Sequence, residues 1–328
     1  MAAIPFCEDF LGRPDGHRIH YVLSGRREGH PFLVLHGGPG SGMSSSMLAL
    51  FDSERDLVIQ FDQRGSGLST PHASHHANDL ANNTLPHLID DVEALRQSLG
   101  IRRWAIVGTS WGVTLGLAYA QRKPAAVSGM VLAGVTQTRF DEIDWLYRGL
   151  GRFLPEAYER FLDAIPPHLR HLHPIEAYHA LLNDPSAEVR QKAADDFHAW
   201  EAGSISSLAD HAFPQKWHDP GYRLARARIC AHYFTNRAWL ADAELLDNAF
   251  KLKGIVGYLI QGRMDLQAPP QTANELAKAW ENSKLMMLDR AGHSVDDDGM
   301  AVAMKHAIAA CRLLPDGFVE DQTVTQPP

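Results

Sequence analysis

Cysteine is scarce in this chain, and long apolar runs are missing from it. The 328 residues include three cysteines, Cys7, Cys230 and Cys311, which are too few and too widely spaced for a disulfide framework or a zinc motif. No apolar run reaches the roughly 20 residues that a membrane-spanning helix needs, and no signal-peptide pattern is visible near the beginning. These absences predict a cytoplasmic protein with reduced thiols.

The chain also has no excess of positively charged residues. Lys and Arg number 31 against 39 Asp and Glu, which gives a formal net charge of −8. Because nucleic acids and anionic membranes attract proteins through positive charge, neither is expected as a partner. The hydrophobic content of 45% beside 21% charged residues is ordinary for a globular protein. A chain of this length can bury one large core and a smaller unit.

Strand-like and helix-like segments alternate between about residues 18 and 136. The apolar runs Phe32–Leu35 and Trp104–Val107 predict buried strands, and Thr84–Leu99 has helical apolar spacing. This alternation predicts an α/β fold with a mostly parallel sheet that helices cover on both faces. Residues 139–249 have helical spacing and almost no strand pattern, so they predict a helical cap. The cap is inserted into a core domain of residues 1–138 and 250–328.

The most informative motif is Gly108-Thr109-Ser110-Trp111-Gly112. It follows the strand-like run that ends at Val107 and precedes a helix-like one. A serine on such a strand-to-helix turn protrudes at the sheet edge, and the glycines permit the strained backbone. We therefore predict that Ser110 is the nucleophile of a hydrolase. The alternative is a purely structural turn.

The partners that this serine needs follow two later strand-like runs. Asp265 comes after the first run and His293 after the second, in the chain order expected for this arrangement. His293 would accept the hydroxyl proton of Ser110, and Asp265 would hold the imidazole and stabilise its charged form. The competing acids, all on the loop of His293, are Asp289, Asp296, Asp297 and Asp298.

A glycine-rich turn, His36-Gly37-Gly38-Pro39-Gly40, follows the apolar run Phe32–Leu35. Its glycines let the backbone approach a substrate carbonyl. A backbone N–H near Gly37 or Gly38, together with that of Trp111, would form an oxyanion hole. We expect His36 to brace the loop. The alternative for the whole stretch is a simple Gly/Pro turn.

Histidine clusters raise the question of a metal. One group is His72, His75 and His76, and the other is His168, His171 and His173. Neither has an acid or cysteine partner at ligand spacing, and a serine mechanism needs no metal. We predict neither a metal nor another cofactor.

These motifs together resemble the proline iminopeptidase (prolyl aminopeptidase) family, serine peptidases of the α/β-hydrolase fold. The matching stretches are His36 to Gly40, Asp62-Gln63-Arg64-Gly65-Ser66-Gly67-Leu68-Ser69, Gly108 to Gly112, Ala118-Tyr119-Ala120-Gln121, Gly262 to Asp265 and Ala291 to Ser294. They span most of the chain in the family's order. The resemblance implies cleavage of an unblocked N-terminal residue, usually proline, from short peptides, amides or arylamides.

The resemblance also implies substrate-binding residues in the cap. Trp200-Glu201 matches a segment in which the family carries a glutamate for the substrate's ammonium group. A second family glutamate belongs to an R-I-E-N-H-Y-F stretch. Here that stretch reads Arg228-Ile229-Cys230-Ala231-His232-Tyr233-Phe234, so Cys230 replaces the carboxylate. Glu201, Cys230, Trp200 and Tyr233 are the expected substrate-binding residues.

Three functions follow from the sequence. The first is an aminopeptidase for N-terminal proline or another small residue, which Glu201 favours. The second is a hydrolase with the same three residues that acts on a less charged amide, ester or lactone in specialised metabolism, which Cys230 favours. The third is a non-catalytic binding protein on the same scaffold. A small molecule or short peptide is the expected partner, and the sequence leaves the oligomeric state open.

Overall fold

The computed structural model describes residues 3–205 and 215–314, and the backbone of residues 317–318. Parts of the predicted cap (206–214) and of the predicted core domain (1–2, 315–316 and 319–328) lie outside the described residues. The strands are β1 Pro5–Gly12, β2 Arg18–Gly25, β3 His30–Leu35, β4 Asp56–Phe61, β5 Ile101–Thr109, β6 Val127–Ala133, β7 Val256–Gly262, β8 Ser283–Leu288 and β9 Gly317–Phe318. The helices are α1 Leu85–Ser98, α2 Trp111–Arg122, α3 Phe140–Tyr147, α4 Pro155–Asp163, α5 Pro174–Leu182, α6 Ala187–Ile205, α7 Pro220–Thr235, α8 Glu244–Asp247, α9 Pro270–Ala279 and α10 Met300–Cys311.

One mostly parallel sheet organises the chain. Its strand order is β1-β2-β4-β3-β5-β6-β7-β8, and the pairs from β4 through β8 are parallel. The pairs β1–β2 and β2–β4 are antiparallel, and the short β9 adds an antiparallel pair to β5. The predicted α/β-hydrolase architecture, with a mostly parallel sheet, is therefore confirmed.

Alternate side chains of the central strands pack on opposite faces of the sheet. In β3, Leu33 and Leu35 belong to the hydrophobic cluster that includes residues of α1 and α2. Phe32 and Val34 belong to the cluster that includes residues of α10. Because both faces are covered, every residue of β3 is buried. This explains why Phe32–Leu35 is an unbroken apolar run rather than an alternating one.

In the chain, the helices α3–α8 come between the strands β6 and β7, which pair directly in the sheet. Most of their apolar side chains form a separate cluster around Tyr147, Phe161 and Phe197. Residues near the end of this segment, Leu245 of α8 and then Ala249, pack instead with the main core. Leu266, which follows β7, packs in turn against the cluster of these helices. No helix of the described residues is long and apolar enough to cross a membrane.

Candidate active site

Ser110 occupies the turn between β5 and α2. Its backbone has φ 53° and ψ −122°, a conformation that residues other than glycine rarely adopt. The N–H of Ser110 donates to the carbonyl oxygen of Ala133 (3.0 Å), and its own carbonyl accepts from the N–H of Val113 (2.8 Å). These bonds anchor the strained turn between the end of β6 and the first turn of α2, as a nucleophile elbow requires.

The flanking glycines are needed for close backbone packing. A Cβ atom at Gly108 would lie 2.6 Å from the carbonyl oxygen of Gly112. A Cβ atom at Gly112 would overlap the carbonyl oxygen of Leu35, at the end of β3. The two glycines therefore lie where the start of α2 packs directly against the ends of β5 and β3. A side chain at either position would push the helix away from the sheet.

His293 and Asp265 form a close pair at the same edge of the sheet. The Nδ1 atom of His293 lies 2.8 Å from Oδ2 and 3.0 Å from Oδ1 of Asp265. The carboxylate also accepts hydrogen bonds from the backbone N–H groups of Gln267 (3.0 Å) and Ala268 (2.8 Å), and from Nε2 of Gln261 (3.1 Å). These donors hold Asp265 in a fixed orientation behind the imidazole. Sequence reasoning missed Gln261, which directly follows the strand-like run Gly254–Ile260.

The charge of Asp265 controls the titration of His293. Burial by itself would lower the pKa of the imidazole, but the carboxylate and its hydrogen bond outweigh burial, so the pKa of His293 is raised above 6.5. The carboxylate therefore stabilises the imidazolium form that arises when His293 accepts a proton.

Ser110 and His293 line one cavity of about 240 Å³, whose other side is formed by residues of α3, α6 and α7. The position of a Cβ atom at Gly37 would be 3.3 Å from Cβ and 3.9 Å from Oγ of Ser110. The turn that begins at Gly37 is thus in contact with the serine. Gly37, Gly38 and Trp111 all line the cavity. Trp111 is also the first residue of α2, where backbone N–H groups have no acceptor within the helix.

Gln63 joins the two halves of this predicted oxyanion hole. Its Oε1 atom accepts from Nε1 of Trp111 (2.8 Å), and its Nε2 atom donates to the carbonyl oxygen of His36 (3.0 Å). The backbone N–H of Gln63 donates to Nε2 of His36 (3.1 Å). Burial lowers the pKa of His36 to about 4, so this imidazole is neutral and accepts that bond. His36 therefore braces the loop.

The side of the cavity that α6 and α7 form carries an ion pair. Glu201 and Trp200 line the wall, and the guanidinium of Arg226 donates from Nη1 to Oε2 of Glu201. The hydroxyl of Tyr147 donates to Oε1 of Glu201 (3.4 Å). Sequence reasoning did not select Arg226. Its i, i+4 relation to Cys230 on α7 was the available signal, because it predicts that both side chains lie on one face of the helix.

Cys230 and Tyr233 were expected to bind substrate, but the structure places both behind the wall. Cys230 is fully buried, and its Sγ atom donates to the carbonyl oxygen of Pro39 (3.0 Å). The hydroxyl of Tyr233 donates to Oδ1 of Asn83 (2.8 Å), and its ring packs edge-on against Trp111. The helical turn that carries them faces the glycine-rich loop and the core, so their contacts are with the protein.

Comparison with known proteins agrees with this geometry. The family described as "alpha/beta hydrolase fold" matches residues 30–299. The chain is therefore an α/β hydrolase. It belongs, within that fold, to the proline iminopeptidase family. The proline iminopeptidase of Arabidopsis thaliana is 39% identical over 302 residues, which cover 92% of this chain and 78% of the relative. That of Xylella fastidiosa strain Temecula1 is 39% identical over 292 residues, 88% of this chain and 91% of the relative.

Solved structures show the same fold. The proline iminopeptidase of Mycobacterium smegmatis superposes with a TM-score of 0.67 at 19% identity, over 94% of this chain and 99% of the other. VinJ superposes with a TM-score of 0.63 at 20% identity, over 95% of this chain and 100% of the other. The family assignment makes the chain a hydrolase, which sets the non-catalytic alternative aside.

Proposed function

We propose that the chain is a serine hydrolase that works through an acyl-enzyme. The observation that carries the proposal is the placement of Ser110 and His293 on one cavity wall, with Asp265 held against the imidazole. The hydroxyl oxygen of Ser110 attacks the substrate carbonyl carbon while His293 accepts the hydroxyl proton. Backbone N–H groups at Gly37 or Gly38 and at Trp111 stabilise the negative charge on the carbonyl oxygen.

The leaving group departs when the tetrahedral intermediate collapses. His293 returns the proton to the leaving nitrogen or oxygen, and the acyl group stays on Ser110 as an ester. Water then attacks this ester, again losing a proton to His293, which passes it to the oxygen of Ser110 as the acid product leaves. Asp265 keeps Nδ1 of His293 protonated throughout, so that Nε2 faces the reaction.

The first candidate reaction is removal of an N-terminal proline or another small residue from a peptide or amide. Relatives that share 39% of their residues with this chain are named proline iminopeptidases. The cavity of about 240 Å³ suits a small acyl group, and Glu201 lies on its wall. A carboxylate in that position offers a counter-charge for a substrate ammonium.

The second candidate is hydrolysis of an amide, ester or lactone whose acyl group carries no charge. Arg226 favours it, because this residue already pairs with Glu201 at the cavity wall. Cys230 favours it too, since the thiol is uncharged and directed at Pro39. Both candidates use the same chemistry at Ser110.

Labelling with a fluorophosphonate tests the shared chemistry. The wild type should become modified on Ser110, and Ser110→Ala should lose both the label and turnover. The loss of turnover should reach about 10⁴-fold or more, because the three residues act as a unit. Asp265→Asn and His293→Ala should lose most of their turnover as well. Ser98→Ala, on α1 and remote from the cavity, is the matched control. Turnover that persists in Ser110→Ala would refute the proposal.

A further inference from the structure

Arg226 is built into the cavity wall rather than free at the surface. Its side chain is 7% exposed and its partner Glu201 is 10% exposed. The Nε atom of Arg226 donates to Oγ of Ser41 (3.3 Å), and the guanidinium carbon lies 5.5 Å from the centre of the Trp217 ring. Contacts on three sides therefore fix the guanidinium next to the carboxylate.

Arg226 stays charged beside this carboxylate. Burial alone would lower the pKa of Arg226, but the carboxylate of Glu201 outweighs burial and raises it. Tyr147 donates a further hydrogen bond to Glu201. A buried ion pair with these extra hydrogen bonds is costly to break, because separation leaves an uncompensated charge in the protein interior.

A substrate ammonium gains little from such a pair. It must leave water, and its attraction to Glu201 is offset by repulsion from Arg226, which lies in direct contact with the same carboxylate. An uncharged acyl group of equal size has no such cost. The charge on the acyl group of the substrate therefore decides how well the substrate binds next to this ion pair.

Glu142 is the other carboxylate among the described residues that line the cavity. Its oxygens accept from the backbone N–H groups of Gln137 (3.0 Å) and Arg139 (2.8 Å) and from the hydroxyl of Thr272 (2.6 Å). Glu142 therefore holds the start of α3 in place, and both of its oxygens already accept hydrogen bonds from the protein.

We propose that Arg226 is a specificity-determining residue, whose pairing with Glu201 makes this cavity select acyl groups without a positive charge. The inference rests on the proposed serine-hydrolase function and names the substrate class of that same site. Because of Arg226, the cavity should favour the second candidate reaction over the first. Since it concerns the acyl group alone, it applies to amide and ester substrates alike.

Binding to the wild type gives the first test. Prolinamide and cyclopentanecarboxamide have nearly the same shape, but only prolinamide carries an ammonium. Their inhibition constants are measured in competition with fluorophosphonate labelling, at a pH at which prolinamide is charged. Cyclopentanecarboxamide should bind at least tenfold more tightly. Equal or tighter binding of prolinamide would overturn the inference, and this measurement needs no variant.

Removal of the guanidinium gives the second test. Arg226→Met leaves Glu201 without its cation, so the ratio of kcat/KM for the prolyl over the cyclopentanecarbonyl 4-nitroanilide should rise at least tenfold. The double variant Arg226→Met with Glu201→Gln should lose this gain. Arg223→Met is the matched control, because Arg223 lies on the same helix but pairs with Asp195. An unchanged ratio in folded Arg226→Met would overturn the inference.

The two tests separate this inference from the proposed function. A chain that fluorophosphonate does not label, or a Ser110→Ala variant that keeps its turnover, would refute the serine mechanism. A labelled, active enzyme that prefers the prolyl substrate would refute only the role of Arg226.

Discussion

The thiol of Cys230 donates a hydrogen bond to the carbonyl oxygen of Pro39, with Sγ and O 3.0 Å apart. Ile229 also fills the space next to Gly40, where an added Cβ would come within 3.0 Å of it. Helix α7 therefore rests directly on the glycine-rich loop of the predicted oxyanion hole. A change in the packing of α7 should alter this loop as well as the cavity.

Cysteine alkylation should report this packing. Cys230 and Cys311 are buried, and burial raises the pKa of both thiols, that of Cys311 to about 12. Because only the thiolate reacts, iodoacetamide should modify the half-buried Cys7 first and the other two only after unfolding. Mass spectrometry of native and denatured protein checks this order. Rapid labelling of Cys230 in the folded state would mean that α7 separates from the loop.

The position of Gly112 should not tolerate any residue with a side chain. Gly112→Ala would drive a Cβ atom into the carbonyl oxygen of Leu35, so we expect a loss of several kcal/mol of stability or failure to fold. Gly203→Ala is the matched control, because the space around Gly203 in α6 is open and alanine favours a helix by about 1 kcal/mol. Thermal unfolding curves compare the two. A folded, fully active Gly112→Ala would contradict the close packing of the elbow.

Gln63 should affect turnover more than substrate binding. Gln63→Ala removes the bonds from its side chain to Trp111 and to the backbone of His36. The two sides of the oxyanion hole would lose their common support, so kcat should fall about tenfold or more while KM changes little. Steady-state kinetics on an uncharged ester measure both constants. An effect on KM alone would assign Gln63 to substrate binding instead.

Activity should fall on acidification with a midpoint above pH 6.5. The pKa of His293 is raised by Asp265, and only the neutral imidazole accepts the serine proton. Asp265→Asn should move the acid limb to lower pH, besides reducing the rate. The raised pKa of His293 also contributes to folding stability, and this contribution depends on pH in the opposite direction to activity. It is complete below the unfolded pKa of about 6.5 and is lost as the pH rises through the folded value.

A pH profile of kcat/KM on an ester without titratable groups checks this prediction, with urea unfolding at several pH values for the stability term. A profile that stays flat down to pH 5 would show that His293 is not the base.

The local sequence predicted the fold well, because apolar periodicity and turn residues act over short distances. The buried strands β3 and β5 and the helix α1 were visible in this way. The edge strand β1 was not, since five of its eight residues are exposed and its partner β2 supplies the pairing. The two-residue β9 was also invisible, because antiparallel pairing with β5 alone makes it a strand.

The sequence by itself determined the placement of Ser110, Asp265 and His293 at one edge of the sheet. Each follows a strand, and parallel strands bring their carboxyl ends to one edge whatever the details of packing. Only the tertiary structure decided which partners the side chains of α6 and α7 meet at the cavity wall. It pairs Glu201 with Arg226, which lie 25 residues apart on different helices, and it turns Cys230 towards Pro39. The reason is physical: a strand end is fixed by sheet topology, whereas the charge that a buried carboxylate meets depends on how two helices pack.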